Sequence, residues 1–402
     1  MMILSDIATV YRKIANPERF ESEILVDHYS LPAFDKGACK RVLSSQVKSQ
    51  KQIVPENAIL VSRLNPHIPR VWAPDVDNTI VNLASTEWSV LIPNGVERGF
   101  LHGFFESDYF KIALRAGVTG TSNSHQRVPV DHLMEIEIPE FDSALAKRGA
   151  VLPDNVFQQL PKFRKLASSL QELAMYSFNQ VFHSVAHPKN SRLRIFQAQS
   201  ATRGVNTQRL RDFFALQKGL SYESKQLSQS NGKLLMNLKS IKPTTNVLKT
   251  GFKYYTGVNR ERDIVNGGDI LVANTDITQF WEVLGHPAIV PFNIEGDILY
   301  TCDLSAVRRK DKSQLGNMVI FHLLNHPLSR ARCQGWATGT TVQRIPEETL
   351  LDIEIQLPKQ SILDELESKL DTIYRCIDKI YSLECKAKGI VTKNANLMFP
   401  TH

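Results

Sequence analysis

The sequence predicts a mixed α/β (α+β) protein built from two similar halves, each a globular part followed by a long helix. Three observations lead to this prediction. Landmark strings recur in the same order along the chain, short Val- and Ile-rich runs lie between turn residues in each half, and an apolar heptad pattern follows each globular part. With 402 residues, 42% of them hydrophobic and 22% charged, the chain is long enough for two or three packed domains.

The internal repeat is the strongest of these observations. "LSDIATV" at Leu4 matches "LRDFFAL" at Leu210, and "AILV" ending at Val61 matches "DILV" ending at Val272. The longest pair of strings is "TGTSNSHQRVPVDHLMEIEIP" at 119–139 and "TGTTVQRIPEETLLDIEIQLP" at 338–358. Landmarks in the same order with small insertions between them are hard to obtain by chance, so the sequence predicts a duplicated domain.

Short strands are expected in both globular parts. The first half contains "NAILVSRL", "EWSVLIP" and "MEIEIP", and the second contains "GDILVANT", "PAIVPF" and "LLDIEIQLP". These runs are rich in β-branched residues and end at Pro, Gly or Asn, which is typical of strands bounded by turns.

A long amphipathic helix is expected after each globular part. The first apolar seam is formed by Leu160, Phe163, Ala167, Leu170, Ala174, Ser177, Val181 and Val185. Pro161 fits the first turn, so regular helix is expected from near Lys162, and the helix should end before "HPKN".

The second apolar seam is formed by Leu366, Leu370, Ile373, Ile377, Ile380 and Ala387, and it can continue through Val391 although Gly389 weakens it. Both seams are narrow enough to pair with each other or with a partner helix. Packing of each helix on its own domain is an equally good interpretation of the periodicity. The domain map that follows is 1–152 and 201–359 for the globular domains, 153–200 for the first helix with a linker, and 360–402 for the second helix with a tail.

Charge and cysteine content narrow the class of protein. Lys and Arg number 48 against 41 for Asp and Glu, a net charge of +7 that gives weak support to a polyanionic partner. The five cysteines form no CxxC pair, the N-terminus lacks a signal-peptide core, and no apolar run reaches the ~18 residues that a membrane helix needs. We therefore expect a cytoplasmic protein.

Catalytic motifs are missing from the sequence. It contains no GxxxxGK[ST], GxSxG or HExxH string, so neither an active site, a cofactor nor a metal is predicted. The alternating acids Glu135 and Glu137, with Asp352 and Glu354 in the repeat, could hold a metal, but the solvated face of a strand explains them more simply.

Polar, aromatic and basic side chains cluster at comparable places in both halves. Arg, Asn and Gln can contact purine edges, and Lys, Tyr and Thr commonly bind phosphate, so these clusters favour DNA binding. The candidate residues are Arg63, Asn65, Arg70, Arg127, Tyr254, Tyr255, Asn259, Arg260, Arg262, Asn274, Gln279 and Arg344. For each residue alone, an exposed polar loop is the simpler interpretation. Gly120 and Gly339 are expected in turns, and Arg127 and Arg344 either reach phosphate or form structural salt bridges.

With "TGTTVQRIPEETLLDIEIQLP" placed directly before a long helix, and a second copy at 119–139, the chain resembles the specificity subunits of type I restriction-modification systems. The resemblance covers nearly the whole chain. That family commonly continues after its "LP" with a second Pro and a Glu-Gln pair, whereas this chain has "LPKQSILDE" and "IPEFDSALAKRGAVLPDNVF". The longer first insertion leaves the start of the first helix open.

The resemblance implies a non-catalytic protein with two pseudo-symmetric target-recognition domains that read a split DNA sequence. It further implies that the two long helices pair as an antiparallel coiled coil, set the spacer and dock two DNA methyltransferase subunits, which a translocase-nuclease subunit can join. Leu170, Val181, Leu370 and Ile377 are the expected docking residues. The alternatives are a recognition subunit of another methyltransferase-based phage-defence system, a helical scaffolding protein, and an enzyme of unrecognised family.

Overall fold

The structure is a computed structural model in which residues 2–118, 126–141, 143–187, 190–199, 207–228, 231–241, 251–276, 281–294, 296–339 and 342–401 are described. The chain forms two compact units. Unit 1 combines Met1–Leu166 with Ile380–His402, and unit 2 is Ala167–Lys379. Both long helices therefore contribute residues to each unit, whereas the expected domain boundaries at residues 152, 200 and 359 separate the helices from the globular parts.

Unit 1 is a mixed α/β fold with two main sheets. Its strands are Met2–Ile3, Ala8–Val10, Ile14–Ala15, Leu25–Tyr29, Lys40–Leu43, Lys51–Ile53, Ile59–Ser62, Val71–Trp72, Val81–Ala84, Trp88–Pro93 and Glu137–Ile138. Its shorter helices are Leu4–Ile7, Leu31–Lys36, Arg98–Glu106, Asp108–Ala116, Val130–Met134 and Ser143–Gly149, with 3₁₀ turns at Pro17–Arg19 and Ser44–Gln46.

Unit 2 repeats this plan. Its strands are Phe182–His187, Asn190–Ala198, Gln208–Arg209, Phe214–Lys218, Leu227–Ser228, Lys233–Met236, Lys253–Tyr255, Ile264–Val265, Ile270–Ala273, Thr275–Asp276, Pro287–Ile289, Ile298–Tyr300, Leu304–Arg309, Gln343–Arg344 and Glu354–Gln356. Its shorter helices are Asn317–Asn325, Pro327–Gly335 and Glu348–Leu351, with 3₁₀ turns at Leu210–Asp212, Ser224–Gln226, Leu238–Ser240 and Glu261–Asp263.

One four-stranded sheet of unit 1 and one of unit 2 have the same strand order, and unit 2 has a further four-stranded sheet of Phe182–His187, Asn190–Ala198, Glu354–Gln356 and Gln208–Arg209. In unit 1 the order is Ala8–Val10, Trp88–Pro93, Ile59–Ser62, Val71–Trp72. In unit 2 it is Phe214–Lys218, Leu304–Arg309, Ile270–Ala273, Pro287–Ile289, and every neighbouring pair in both sheets is antiparallel. In each sheet the third strand of this order, Ile59–Ser62 or Ile270–Ala273, is the one that the string "AILV" or "DILV" predicted, and we call it the central strand.

The five-stranded sheets share a core of four strands. Unit 1 orders them Lys51–Ile53, Val81–Ala84, Leu25–Tyr29, Lys40–Leu43, and unit 2 orders them Ile264–Val265, Ile298–Tyr300, Lys233–Met236, Lys253–Tyr255. In both, the two middle strands are parallel and the outer pairs are antiparallel. Each sheet adds its fifth strand at a different edge. The duplication expected from the sequence is thus present in strand order and direction.

The recurring string at the start of each half is a small capping motif. Asp6 Oδ2 accepts a hydrogen bond from the Ile3 N–H at 2.8 Å, and Asp212 Oδ2 accepts one from the Arg209 N–H at 2.8 Å. The following Leu4 and Leu210 are fully buried, and the Leu4 N–H donates to the Ile136 carbonyl as the Leu210 N–H does to that of Ile353. The aspartate closes the turn while the leucine anchors it, because a buried leucine contributes about 1.5–3 kcal/mol relative to an exposed one.

The first long helix, Val151–Val181, differs from the expected bounds at both ends. It begins eleven residues before Lys162, because Leu160 is buried on its inner face and this packing tolerates Pro161 inside the helix, where one backbone hydrogen bond is lost. The helix ends at Val181, and Val185, which the apolar seam included, lies in strand Phe182–His187 paired with Asn190–Ala198. The β-branched and aromatic residues of that segment favour the hairpin.

The second long helix, Gln360–Met398, is continuous through Gly389, as the extended seam predicted. Within unit 1 its C-terminal part lies antiparallel to the start of the first long helix. Arg164 Nε donates to Glu384 Oε1 at 3.0 Å, and Asn394 Nδ2 donates at 3.3 Å to the carbonyl of Gly149, two residues before the first long helix begins, so residue numbers fall along one segment as they rise along the other.

A buried histidine holds each unit against a long helix. In unit 1, His102 Nδ1 lies 2.9 Å from Asp154 Oδ1 on the first long helix. In unit 2, Tyr374 Oη of the second long helix lies 3.2 Å from His322 Nε2, and the His322 ring stacks on Phe178 with centroids 5.2 Å apart. The two histidines lie on nine-residue helices, His102 as the fifth residue of Arg98–Glu106 and His322 as the sixth residue of Asn317–Asn325.

No helix among the described residues combines the length and apolarity needed to span a membrane, and no cluster of potential metal ligands occurs in the same part of the chain.

Candidate nucleic-acid interface

In unit 1 three of the predicted residues come together at the end of the central strand Ile59–Ser62. The Val128 N–H donates to the Arg63 carbonyl at 3.0 Å, and the Asn65 N–H donates to the Gln126 carbonyl at 2.9 Å. Leu64 and Arg127 form the antiparallel bridge between these two bonds. The "QR" string of the repeat therefore runs beside the segment that carries Arg63 and Asn65.

Two arginines and one glutamate interact electrostatically where these two segments pair. Burial and the nearby Arg127 guanidinium both lower the pKa of Arg63, and Glu87 opposes them. Arg63 Nη2 donates to the Thr86 carbonyl at 3.0 Å, whereas Arg63 Nε and Asn65 Oδ1 are buried with no partner among the described residues. Two guanidinium groups held near each other produce a local positive potential, which favours an anionic ligand.

Arg70 is placed differently from the expectation for a DNA-contacting side chain. Its Nε and Nη2 donate to the two oxygens of Asp35 at 2.8 and 3.0 Å, and its side chain is only 13% exposed. A bidentate pair of this kind occupies the N–H edge of the guanidinium that would otherwise contact phosphate or guanine. We therefore assign Arg70 a structural role in unit 1.

Unit 2 has the corresponding ladder. The Ile345 N–H donates to the Asn274 carbonyl at 3.2 Å, and Thr275 pairs with Arg344 across the short strands Thr275–Asp276 and Gln343–Arg344. Arg344, which is exposed, lines a small cleft together with Asn274, Lys218 and Asp303. Arg344 and Arg127 thus occupy the same place relative to the central strand of their unit.

Gly339 has the turn role expected from the sequence. Its φ of +121° lies in the region that favours glycine, and a Cβ there would lie 2.2 Å from the Val342 carbonyl oxygen. The Thr338 N–H and the Arg344 N–H exchange hydrogen bonds with each other's carbonyls at 2.9 Å, which closes the turn. The matching residues Thr119, Gly120 and Thr121 lie outside the described residues, as does Gln279.

The segment "KYYTGVNRER" forms strand Lys253–Tyr255 and the loop that follows it. Tyr254 is partly buried within the strand, whereas Tyr255 is 4% exposed and its hydroxyl donates to the Val258 carbonyl at 3.2 Å. Burial of the ring and use of the hydroxyl leave Tyr255 nothing to offer DNA. Tyr255, which the sequence predicted to contact DNA, is therefore a core residue that supports the loop.

Asn259, Arg260 and Arg262 lie on that loop. Asn259 Nδ2 donates to the Arg260 carbonyl at 3.2 Å. The Arg260 and Arg262 side chains are 67% and 59% exposed, and both approach the buried Asp263 carboxylate only at 3.5 and 3.9 Å. Such loose contacts are worth little in water, so both guanidinium groups are available to a ligand.

The acidic alternation forms ion pairs within unit 2. Asp352 pairs with Arg211 and lies 3.7 Å from Arg209 Nη1, while Glu354 Oε1 lies 3.8 Å from Arg209 Nη2. These contacts join the string at Leu210 to the string that ends at Pro358. The carboxylates therefore have a structural partner, and a metal is not needed to explain them.

The four expected docking residues are not the exposed ones. Leu370 and Ile377 are fully buried in unit 2, and Leu170 and Val181 are partly buried. The apolar seam read from the sequence is thus the inner face of each helix. The physical reason is that an apolar stripe is buried against the nearest apolar surface, which here belongs to the same chain.

A second apolar stripe on the second long helix is exposed. Leu383, Ile390 and Leu397 recur at heptad spacing and are 46%, 56% and 70% exposed within unit 1. We call these three residues the outer stripe. The heptad spacing of these residues is visible in the sequence. The sequence does not indicate which of the two apolar stripes of this helix is buried against the rest of the chain.

Val258, on the loop after strand Lys253–Tyr255, is a further exposed aliphatic residue. It lies between Tyr255 and Arg260 and is 93% exposed. A valine in a polar loop gives no signal of its own in one sequence.

The sequence matches no family model and no curated protein, but several solved structures are similar to the chain over its length. The S subunit of a type I restriction-modification system from M. genitalium is 11% identical with a TM-score of 0.56, and the similarity covers 100% of this chain and 96% of that one. The HsdS subunit from Thermoanaerobacter tengcongensis is 16% identical with a TM-score of 0.35, covering 99% and 95%. A chain from work on complex assembly and conformational transition of the type I R-M system is 16% identical with a TM-score of 0.41, covering 99% and 97%.

The similarity to the M. genitalium subunit shows the fold. The chain has the architecture of a type I specificity subunit, with a duplicated mixed α/β unit and two long helices, as the sequence predicted.

Proposed function

We propose that this chain is the non-catalytic DNA-recognition subunit of a type I restriction-modification complex, in which each unit reads one half of a split DNA target. The observation that carries the proposal is the duplication itself: two units share strand order and direction but present different side chains at corresponding loops. A duplicated scaffold with divergent loops suits the recognition of two different half-sites on one duplex.

Shared and divergent residues are proposed to make different contacts. Arg127 and Arg344 occupy corresponding ladders in both units, so we assign them to phosphate, which carries no sequence information. Arg63 and Asn65 in unit 1, with Asn274 in unit 2, flank those ladders and belong to the same surface.

Tyr254, Asn259, Arg260 and Arg262 of unit 2 have no counterpart of the same type in unit 1, so we assign them to base edges or to phosphates specific to one half-site. Gln279 keeps its proposed role from the sequence alone. Arg70 and Tyr255 are left out because their polar groups are used within the protein.

The proposed partners are two DNA methyltransferase subunits, which would bring S-adenosylmethionine, and a translocase-nuclease subunit. We assign the methyltransferase contact to the outer stripe, because three exposed aliphatic residues at heptad spacing suit a partner helix. The long helices, which both units share, would set the number of unread base pairs between the half-sites.

The test is selection from a pool of random duplex DNA by the full chain copurified with its methyltransferase. We expect enrichment of two defined half-sites separated by a constant number of undefined base pairs. Enrichment of no sequence would contradict DNA reading and favour a scaffolding protein. Methyl transfer to DNA by the chain alone with S-adenosylmethionine would contradict the non-catalytic assignment.

A further inference from the structure

The loop after strand Lys253–Tyr255 presents one aliphatic side chain to solvent. Val258 is 93% exposed, more than any other large hydrophobic residue in the described part of the chain. In unit 1 the corresponding strand Lys40–Leu43 runs directly into the 3₁₀ turn Ser44–Gln46, whereas in unit 2 residues 256–260 separate strand Lys253–Tyr255 from the turn Glu261–Asp263, so Val258 has no counterpart in unit 1. The shared fold therefore does not require an exposed valine at this place, and its exposure calls for another explanation.

The loop is rigidly held at the start. The buried Tyr255 hydroxyl donates to the Val258 carbonyl at 3.2 Å, and the Thr256 N–H donates to the Gln226 carbonyl at 2.9 Å. A Cβ at Gly257 would lie 2.4 Å from the Tyr255 hydroxyl oxygen, so glycine is what lets the hydroxyl reach Val258.

The end of the loop is held as firmly. The Arg260 N–H donates to Asp263 Oδ2 at 2.9 Å and the Asp263 N–H donates back to the Arg260 carbonyl at 3.0 Å. The Arg262 carbonyl accepts from Arg308 Nη2 and Gln217 Nε2, both at 3.0 Å. A loop fixed in this way places Val258 without the entropic cost of ordering it on binding.

The types of side chain around Val258 favour a contact with base edges over one with the phosphate backbone. Arg260 and Arg262 are 67% and 59% exposed, but Glu261 between them is exposed too and would repel phosphate. In the major groove, arginine pairs with guanine and a carboxylate accepts from the cytosine amino group. Aliphatic groups there contact the C5 methyl of thymine. Side chains that wedge between base steps in the minor groove are mostly larger, such as Phe, Leu, Ile and Met.

From this geometry we infer that Val258 is a specificity-determining residue that contacts the C5 methyl group of a pyrimidine, thymine or 5-methylcytosine, in the major groove of one half-site. The inference rests on the proposed function. It adds which residue of unit 2 discriminates, and which chemical group of the DNA it recognises.

The test uses the full chain with its methyltransferase and the duplex selected above. Each thymine of the half-sites is replaced in turn by deoxyuridine, which lacks only the C5 methyl. For the unaltered protein we expect one position in one half-site to lose affinity about fourfold, the factor that burial of one methyl group corresponds to. Val258→Ala should bind the thymine duplex about fourfold more weakly and be indifferent to deoxyuridine at that position. Deoxycytidine and 5-methyldeoxycytidine at the same position distinguish the two pyrimidine sources.

Each contrary outcome is distinguishable. If Val258→Ala keeps the same thymine preference, or if no thymine position is sensitive, the inference is wrong while the split-site selection still stands. Equal weakening of every duplex by Val258→Ala would indicate a wedge or a general contact and would overturn it as well. Because Val258 is exposed, the Val258→Ala variant should melt at an unchanged temperature. The same substitution at Val47, a buried valine of unit 1, is the control and should lower the melting temperature without altering thymine preference. Failure of the unaltered chain to select any split site would instead remove the proposed function, and with it this inference.

Discussion

Exposure and pairing divide the predicted arginines into two kinds. The Arg260 guanidinium is 67% exposed with one loose contact to Asp263, whereas Arg70 is 13% exposed and bonded twice to Asp35. The sequence alone could not separate them, because both arginines stand in polar loops next to asparagine and aromatic residues. The difference arises from Asp35, which is distant in sequence and adjacent only after folding.

This difference predicts opposite effects of the same substitution. Arg260→Gln should weaken DNA binding by about 1–3 kcal/mol if it contacts a base, or reduce the salt slope by about one if it contacts phosphate. Arg70→Gln should leave DNA affinity within about twofold but lower the free energy of unfolding by about 1 kcal/mol, since one partner is half exposed. Fluorescence anisotropy over a salt series and urea denaturation measure the two effects. A loss of affinity in Arg70→Gln equal to that in Arg260→Gln would contradict the assignment.

His322 makes the stability of the chain sensitive to acid. Burial, followed by the charge of His326, lowers the pKa of His322 to about 3, and burial with Arg330 lowers that of His286 to about 3 as well. In the unfolded chain a histidine titrates near 6.5, so below that pH the unfolded state binds protons that the folded state does not. The stability is fully present above pH 6.5 and is lost as the pH falls towards 3.

Replacing one of these histidines should therefore remove part of the acid sensitivity. The unaltered chain should lose unfolding free energy when the pH is lowered from 7.5 to 5.0. In His322→Gln this loss should be smaller by about 2 kcal/mol, which is the contribution of one histidine whose pKa is near 3 in the folded chain and near 6.5 in the unfolded chain. Urea denaturation at the two pH values measures this. His67→Gln, at an exposed position, is the control and should keep the full loss. The same loss in His322→Gln would show that His322 does not stay neutral in the folded chain.

At the scale of the helices, the sequence established which residues are apolar and at what spacing but not which stripe the chain covers. Leu370 and Ile377 face the interior of unit 2, while the outer stripe of Leu383, Ile390 and Leu397 remains exposed in unit 1. Two stripes on one helix obey the same heptad rule. Only tertiary packing distinguishes the stripe that stabilises the chain from the one available to a partner.

Substitutions in the two stripes should consequently separate folding from assembly. Ile390→Asp with Leu397→Asp should abolish copurification of the methyltransferase and leave the melting temperature nearly unchanged, because both side chains are already exposed. Leu370→Asp should lower the melting temperature sharply, since it buries a charge in an apolar site. Glu21→Lys, a charge reversal at an exposed position of unit 1 outside the long helices, is the control and should keep the methyltransferase. Retained assembly in the double variant would remove the outer stripe as the docking surface.

Alanine substitutions at two glycines, Gly389 within the second long helix and Gly37 packed against Arg164 of the first, should change the free energy of unfolding in opposite directions. A Cβ at Gly389 would meet open space, so Gly389→Ala should raise the free energy of unfolding by about 1 kcal/mol through helix propensity. Gly37 has a φ of +87°, and a Cβ there would lie 1.5 Å from Arg164 Nη1, so Gly37→Ala should destabilise the chain by more than about 1 kcal/mol. Thermal denaturation of both variants tests this. Equal effects would contradict the packing of Arg164 over Gly37.

The bounds of the first long helix show where local rules were overridden. From Pro161 the sequence predicted a helix start near Lys162, but the helix begins at Val151. Packing around the buried Leu160 outweighs the one backbone hydrogen bond that the proline removes. At the other end, Val185 continued the apolar period but entered a hairpin. The second long helix contains no proline, and its extent was predictable through Gly389.

For the whole molecule, the repeated strings were sufficient to predict duplication, and the structure shows their physical content. Asp6 and Asp212 cap equivalent turns, and the corresponding four-stranded sheets, one in each unit, have identical strand order. Repetition preserves the parts that build a unit. The loops that would distinguish two DNA sequences are the parts that differ between the copies, so a single sequence gives little information about them.

The central claim is that two units read two halves of one DNA target for a methyltransferase. The most direct measurement is a map of DNA methylation in a host carrying the gene for this chain, compared with the same host without it. We predict that a motif of two defined half-sites, separated by a fixed number of undefined base pairs, is methylated only when the gene is present. Identical methylation in the two hosts, or gene-dependent methylation of one uninterrupted motif, would contradict the claim.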